Sequence, residues 1–600
     1  MATPSPRTLM VIGFAAAIAM APLLLGPFAI TLMNYIGIYT LVALGLVLLT
    51  GSGGMTSFGQ AAFVGIGAYT TAYLSVGLGW SPWLGLAVAL AVTFIVALVI
   101  GYSTLHLGGH YLPITTIAWG VAIYLLFGNF EALGRYGGMT HIPPIVLLGF
   151  SFERMDRMFF LIWTIVGLSL LAAVNLINSR QGRGIRALRG GTVLVESLGI
   201  DSFRVKLALF IISALLAAIA GWLYAHMLRF ISPAIFDLRS GIEFLLMAVL
   251  GGSGFVGGAV VGAATVTIVK NWLQDLLPIV SSNSGNLEII VFGALFIVLL
   301  QYSPRGVMPI LLDLYRRARS PFKRPISVAL LPDWKDTDVL PKRKMPEAGI
   351  VLLKVDRLTR RFGGLTAVDD VSFEIKAGTV FALIGPNGAG KSTTFNLITG
   401  VLKPSEGRIT FLNRDITAAS QRTIAGHGIA RTFQHVKLRP SMSLLENVML
   451  GAYARTSSGY VAGALNLDTA DESRVRALAL EQLKEVGLGD KPLELAGNLP
   501  LGQQRVLEIA RALAADPVVI MLDEPAAGLR SQEKQALARL LGGLRAKGMT
   551  IVLVEHDMEF LMGLADRIVV LNFGLRLAEG TPAEIRADAK VQDAYLGAGA

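Results

Sequence analysis

VFALIGPNGAGKSTTFNLITG, residues 380–400, decides how the second half of this 600-residue chain folds. Residues 380–384 are an all-apolar run suited to a buried strand, residues 391–399 can form a helix, and Gly400 stands where helices commonly end. Between them GPNGAGKS, residues 385–392, satisfies the spacing G-x-x-x-x-G-K-[ST]. In that setting the glycines let successive backbone N–H groups wrap phosphate oxygens, Lys391 reaches the β- and γ-phosphates, and the Ser392 hydroxyl can ligate Mg²⁺. Gly385, Pro386, Asn387, Gly388, Ala389, Gly390, Lys391, Ser392 and Thr393 are therefore assigned to ATP, with Mg²⁺ as the second cofactor.

The rest of the chain has a different composition. With 53% hydrophobic and only 16% charged residues, it is too apolar to be soluble throughout. The net charge of +11 sits largely in short basic clusters beside apolar segments, where positive-inside topology accounts for it, and no nucleic-acid partner is expected. There are no cysteines, which excludes disulfides, thiolate metal sites and cysteine nucleophiles.

Crossing a bilayer takes about twenty apolar residues, and segments near 9–32, 34–50, 61–76, 82–102, 112–127 and 158–178 qualify. Residues 9–25 lack a small-residue cleavage site, so a first span is expected there and not a signal peptide. Arg7 and the basic residues between Arg180 and Lys206 mark the cytoplasmic side. Further spans are expected at 205–228 and 287–300, with an apolar block at 242–269 broken by the glycines at 251–258. That broken segment is a candidate lining for a translocation route, or a place where small residues let helices pack closely. Residues 51–60, glycine-rich and ending in Gln60, invite the same reading with less support. His106, His110, Arg229 and Glu243 are expected to be interfacial anchors. Residues 185–198 read as a short polar helix that docks a soluble engine, and residues 302–350, rich in proline and charge, as a tether with little structure of its own.

From Val351 onward apolar strand-like runs alternate with helical patterns, as a parallel α/β sheet requires. One run ends in Asp523-Glu524-Pro525 and another in Glu555-His556-Asp557. The carboxyl edge of such a sheet is where ligands bind, so the phosphate loop, the carboxylates and His556 are expected to share a crevice.

GPNGAGKST at 385–393, Gln434 in ARTFQ, LPLGQQ at 499–504, MLDEP at 521–525 and His556 occur in an order that resembles the ATPase subunit of ABC transporters. More closely, RTFQ followed by LLENVMLGAY, GQQRVLEIARAL, DEPAAGL and GTPAEIRADAKVQDAYLG resembles the branched-chain amino acid importers. FGQAAFVGIGAYTTAYL and LMAVLGGSGFVGGAVVGA are similar to the permeases of that family. The resemblance implies an N-terminal polytopic all-α membrane domain of about 8–10 helices, residues 1–303, a linker at 304–350, and a C-terminal α/β P-loop ABC ATPase domain at 351–600.

It further implies that Asp523 holds Mg²⁺, with Ser392 and Gln434 as the other ligands. Glu524 would activate the attacking water, Gln434 and His556 would sense the γ-phosphate, and Phe362 would stack on adenine. Gly502 and Gln503 would open a helix from about 503 to 514 whose N–H groups meet the nucleotide of another copy. The signature departs from the pattern at Pro500, where a serine is usual. The implied partners are a second permease and a second ATPase half, as a homodimer or as separate subunits, a lipid bilayer, and an extracytoplasmic solute-binding protein. The expected activity is ATP-driven uptake across a bacterial cytoplasmic (inner) membrane, with branched-chain amino acids as leading solutes and urea or amides as the alternative. Export is disfavoured because the longest loop on the cytoplasmic side, 180–204, is too short for the long helical extensions of exporters.

Overall fold

The computed structural model describes residues 6–106, 111–280, 290–291, 293–294, 297–298, 301–303, 306–319 and 340–596. The chain divides into two compact units, one of Met1–Asn178 with Phe203–Lys323, the other of Ser179–Ser202 with Arg324–Ala600.

The first unit is helical. Its long helices are Pro6–Leu24, Pro27–Leu46 (continued by a π-turn Val47–Ser52), Gln60–Gly77, Pro82–Leu105, Tyr111–Asn129, Met155–Asn178, the helix Ser202–Leu228, and the pair Leu238–Gly252 and Gly258–Val280. Among the described residues five are long and apolar enough to cross a membrane: Pro27–Ser52, Pro82–Leu105, Tyr111–Asn129, Met155–Asn178 and Ser202–Leu228. The first break falls at Gly26-Pro27 and not near residue 33, because Pro27 lacks an N–H to continue the preceding helix and is well placed as the first residue of the next. Residues 287–300 lie largely outside the described residues, as does His110. Among the described residues this unit also has four two-residue strands: β1 (Met139–Thr140) pairs with β4 (Phe230–Ile231), and β2 (Val146–Leu147) with β3 (Phe150–Ser151).

The glycine-rich block at 251–258 does separate two helices, and Gly251 within it and Gly262 just beyond it explain how closely those helices pack. A Cβ on Gly262 would lie 1.8 Å from the Met247 carbonyl oxygen. Gly262→Val is therefore expected to cost about 1–3 kcal/mol through overpacking. Thermal unfolding in detergent measures it, and an unchanged melting temperature would contradict the packing account.

The proline-rich segment after residue 302 is not featureless, since Val307–Arg319 is a helix. Pro309 sits in its first turn, where a missing N–H breaks no intrahelical bond. The end of the linker is also fixed within the second unit: Leu340 joins an apolar cluster there, and the Arg343 N–H donates to Asp516 Oδ2 at 2.5 Å.

Among the described residues the second unit holds two sheets. An antiparallel one runs β6 (Leu365–Lys376), β5 (Val351–Phe362), β8 (Glu406–Phe411), β9 (Arg414–Asp415). The other is ordered β10 (Ile429–Arg431), β11 (Val519–Asp523), β12 (Thr550–Val554), β7 (Val380–Ile384), β13 (Arg567–Asn572), β14 (Leu575–Gly580), parallel except for β14. Strand β7 is buried on both faces: Phe381 and Leu383 enter one apolar cluster, Val380, Ala382 and Ile384 the other. This is why its sequence is an unbroken apolar run. Asp523 pairs in register with Val554, and Val554 with Leu383, so three strand ends place the phosphate loop, Glu524 and His556 along one edge.

Candidate functional site

The phosphate loop leaves β7 at Ile384 and enters the helix Lys391–Ile398, with Gly390 as its cap at φ +97°. A Cβ at Gly390 would stand 2.5 Å from the Ala367 carbonyl oxygen, so both conformation and space demand glycine. The Lys391 ammonium donates to the carbonyl oxygens of Gly385 (2.6 Å) and Pro386 (2.8 Å). Burial pulls its pKa below the usual lysine range, against the opposing pull of Glu524 and Asp523.

Asn387, Gly388, Ala389, Gly390, Lys391, Ser392 and Thr393 line a cleft of about 420 Å³ with Gln434 and Glu524. Leu365, Thr366, Ala367 and Phe573 form the rest of its wall. Gln434 donates from Nε2 to Glu524 Oε2 at 3.0 Å. Glu524 has a left-handed backbone, φ +46°, held by its N–H donating to the Val554 carbonyl oxygen at 2.8 Å. Such a conformation costs about 1–3 kcal/mol in a non-glycine residue and persists where the surroundings over-determine it.

Asp523 ends β11 and is buried. Burial pushes its carboxyl up to about 6, with Glu524 adding to the rise while Arg431 and Arg505 oppose it. Its Oδ1 is buried with no hydrogen-bond partner. A buried carboxylate oxygen left unpaired beside a cleft that also holds the Ser392 hydroxyl and the Gln434 amide is a donor set suited to Mg²⁺, which takes few protein ligands and completes its shell with phosphate and water. Among the described residues no three His, Asp or Glu gather into an all-protein metal cage.

His556 follows β12 with 58% of its side chain exposed, and its backbone N–H donates to Glu555 Oε2 at 3.1 Å. Neither His556 nor Asp523 lines the 420 Å³ cleft, although both sit on the strand edge that forms it. Phe362 is the exposed last residue of β5, with the Arg360 guanidinium 4.6 Å over its ring. The cleft wall carries its cross-strand partner Leu365 instead.

The signature helix runs Leu501–Leu513, two residues earlier at its start than the expected 503, with Pro500 as a cap that offers no side-chain acceptor. Gly502 and Gln503, in its first turn, do not line the cleft. Gln503 Oε1 is buried without a partner. Pro500→Ser would add a cap worth about 0.5–2 kcal/mol and a donor for an anion. It is expected to raise ATPase activity or nucleotide affinity about 2- to 10-fold, and unchanged kinetics would refute that role for the position.

Two buried groups that sequence reasoning gave no role brace the site. The fully buried Glu555 accepts from the Ala526 N–H at 2.7 Å and so fixes the turn after Glu524. Arg431 donates to Asn396 Oδ1 (3.1 Å) and Thr399 Oγ1 (2.7 Å), lying between the Phe395 and Phe433 rings at 4.8 Å from each. Burial lowers its pKa to about 10, with Asp523 and Glu508 opposing. Local pattern marks Glu555 only through its place beside His556 and Arg431 only as the arginine of RTFQ, without a role for either.

The segment Ser179–Ser202 forms two short helices, Arg180–Ala187 and Thr192–Ser197, where a single one was expected over 185–198; the turn Leu188–Gly190 interrupts it. Within the second unit it is anchored by charge. Arg183 donates to both Glu472 oxygens at 2.7 and 2.8 Å, Arg186 to Glu446 at 2.7 Å, and Arg422 to Asp201. Arg180 lies 3.8 Å over the Tyr453 ring, whose hydroxyl donates to Gln181 Oε1 at 2.7 Å.

Comparison with known proteins agrees with this division of labour. Residues 28–300 match the family described as branched-chain amino acid transport system / permease component. Residues 368–527 match ABC transporter, and residues 576–600 match branched-chain amino acid ATP-binding cassette transporter. The high-affinity branched-chain amino acid transport ATP-binding protein LivG of Salmonella typhimurium is 44% identical over 249 residues, 41% of this chain and 98% of that protein. BraF of Pseudomonas aeruginosa, of the same description, is 41% identical over the same shares of each chain. A solved nucleotide-free ATP-binding cassette from an ABC transporter is 32% identical, with a TM-score of 0.37 over 41% of this chain and 99% of that one.

Proposed function

This chain belongs to the branched-chain amino acid family of ABC transporters and joins a permease part to an ATPase part whose ATP hydrolysis is coupled to transport, and from that premise we propose that it imports branched-chain amino acids or closely related small solutes. The observation that carries the reading is that both halves, independently of each other, match the same transport family. Uptake runs across the cytoplasmic membrane of a bacterium, from a separate extracytoplasmic binding protein.

ATP occupies the cleft over the phosphate loop, with Lys391 on the β- and γ-phosphates. Ser392, Gln434 and Asp523 would hold Mg²⁺, which would supply positive charge to offset that of the phosphates. Glu524 is the general base: Gln434 holds its Oε2, leaving Oε1 to take the proton of an attacking water. His556 contacts the γ-phosphate from the neighbouring strand end. Because Gly502 and Gln503 lie off this cleft, a second ATPase half supplies the signature that closes it, and two membrane halves complete the assembly. Closure and reopening reach the permease through Ser179–Ser202, which is continuous with the helices on either side.

Vesicles containing the full assembly with its binding protein are expected to take up radiolabelled leucine in competition with isoleucine and valine. Competition by urea or amides in place of those amino acids would transfer the assignment to a different small solute.

A further inference from the structure

The Glu243 carboxylate accepts from the Lys270 ammonium at 2.8 and 3.0 Å. The pair links the helices Leu238–Gly252 and Gly258–Val280 and borders a cavity of about 180 Å³ inside the first unit. Val42 and Phe244 give that cavity an apolar wall, and Tyr39 and Tyr224 add aromatic rings with hydroxyls. Neither charge is closed off, since the Glu243 side chain is 33% exposed and that of Lys270 39%.

Ionisable residues within apolar helical segments tend to face a pathway or a cavity, and a structural link between two helices needs no cavity beside it. The volume is below the about 300–1,000 Å³ of drug-sized sites and slightly above the about 150 Å³ that admits benzene, which suits a solute of amino-acid size. Opposite charges side by side select the ligand class further. A cation alone would leave Lys270 unpaired and an anion alone would leave Glu243 unpaired, while a neutral amide returns neither charge interaction. An α-amino acid zwitterion compensates both as the pair opens, with its side chain against the apolar wall.

We propose that Glu243 and Lys270 bind the head group of a zwitterionic amino acid in transit, Glu243 taking the α-ammonium and Lys270 the α-carboxylate. This rests on the import reading given above. The test is uptake of radiolabelled leucine into proteoliposomes holding the complete assembly, per assembled transporter. Glu243→Gln and Lys270→Met are each expected to lower uptake about tenfold or more, and Lys270→Arg to stay within about threefold of the unaltered chain. The reversal Glu243→Lys with Lys270→Glu keeps an ion pair between the same helices but turns the charges around relative to the apolar wall, and it is expected to remain about tenfold low. Recovery of full uptake in the reversal, or full uptake in the neutralised variants, overturns this site while leaving the import reading intact. Failure of the unaltered assembly to accumulate leucine overturns both.

Discussion

Replacing Glu524 by Gln is expected to lower steady-state ATP hydrolysis by about 10²-fold or more and to abolish transport, while nucleotide affinity is retained. The change removes the proton acceptor but keeps the shape, and the Gln434 amide can still donate to the new carbonyl at the 3.0 Å contact it makes now. Lys391 and the loop glycines, which hold the phosphates, are untouched. Phosphate release together with binding of a fluorescent ATP analogue separates the two effects. Hydrolysis at the unaltered rate would mean that another group takes the proton, and loss of binding would mean that the left-handed turn at Glu524 had collapsed.

Arg183→Ala is expected to lower solute uptake about tenfold or more, with ATP hydrolysis continuing. Arg183 is 4% exposed and Glu472 14%, and their two parallel hydrogen bonds leave Glu472 without its guanidinium partner when the arginine is removed. Breaking a buried pair of this kind costs about 3–5 kcal/mol, which loosens the segment Ser179–Ser202 from the unit that hydrolyses ATP. Arg186, whose pair with Glu446 is more open to solvent, is expected to matter less. The ratio of ATP consumed to solute taken up is the measurement, and an unchanged ratio would show that this segment does not carry the coupling.

The nucleotide half was legible because its chemistry is written in contiguous strings. A phosphate loop needs its glycines, lysine and hydroxyl at fixed spacing, and a buried parallel strand announces its end when the apolar run stops at Asp523 or Val554. What joins residues across the fold was not legible. Glu243 could be found in the sequence, but its partner Lys270 lies one helix later, and only the glycine-mediated packing of the two helices brings them together. Arg431 and Glu555 stand in strings the sequence does display, RTFQ and Glu555-His556-Asp557, but they act through burial, which those strings do not record. The errors in helix bounds have ordinary causes, a proline that starts a helix at 27 and tolerates one at 307–319.

The central claim is that ATP hydrolysed at Lys391 and Glu524 drives a branched-chain amino acid inward. Proteoliposomes with the complete assembly, binding protein added outside and ATP enclosed, should accumulate radiolabelled leucine above the external concentration, and should fail to do so when Glu524→Gln replaces the unaltered chain. Accumulation that is equal with and without ATP, or ATP-driven loss of leucine preloaded in the lumen, would contradict the account.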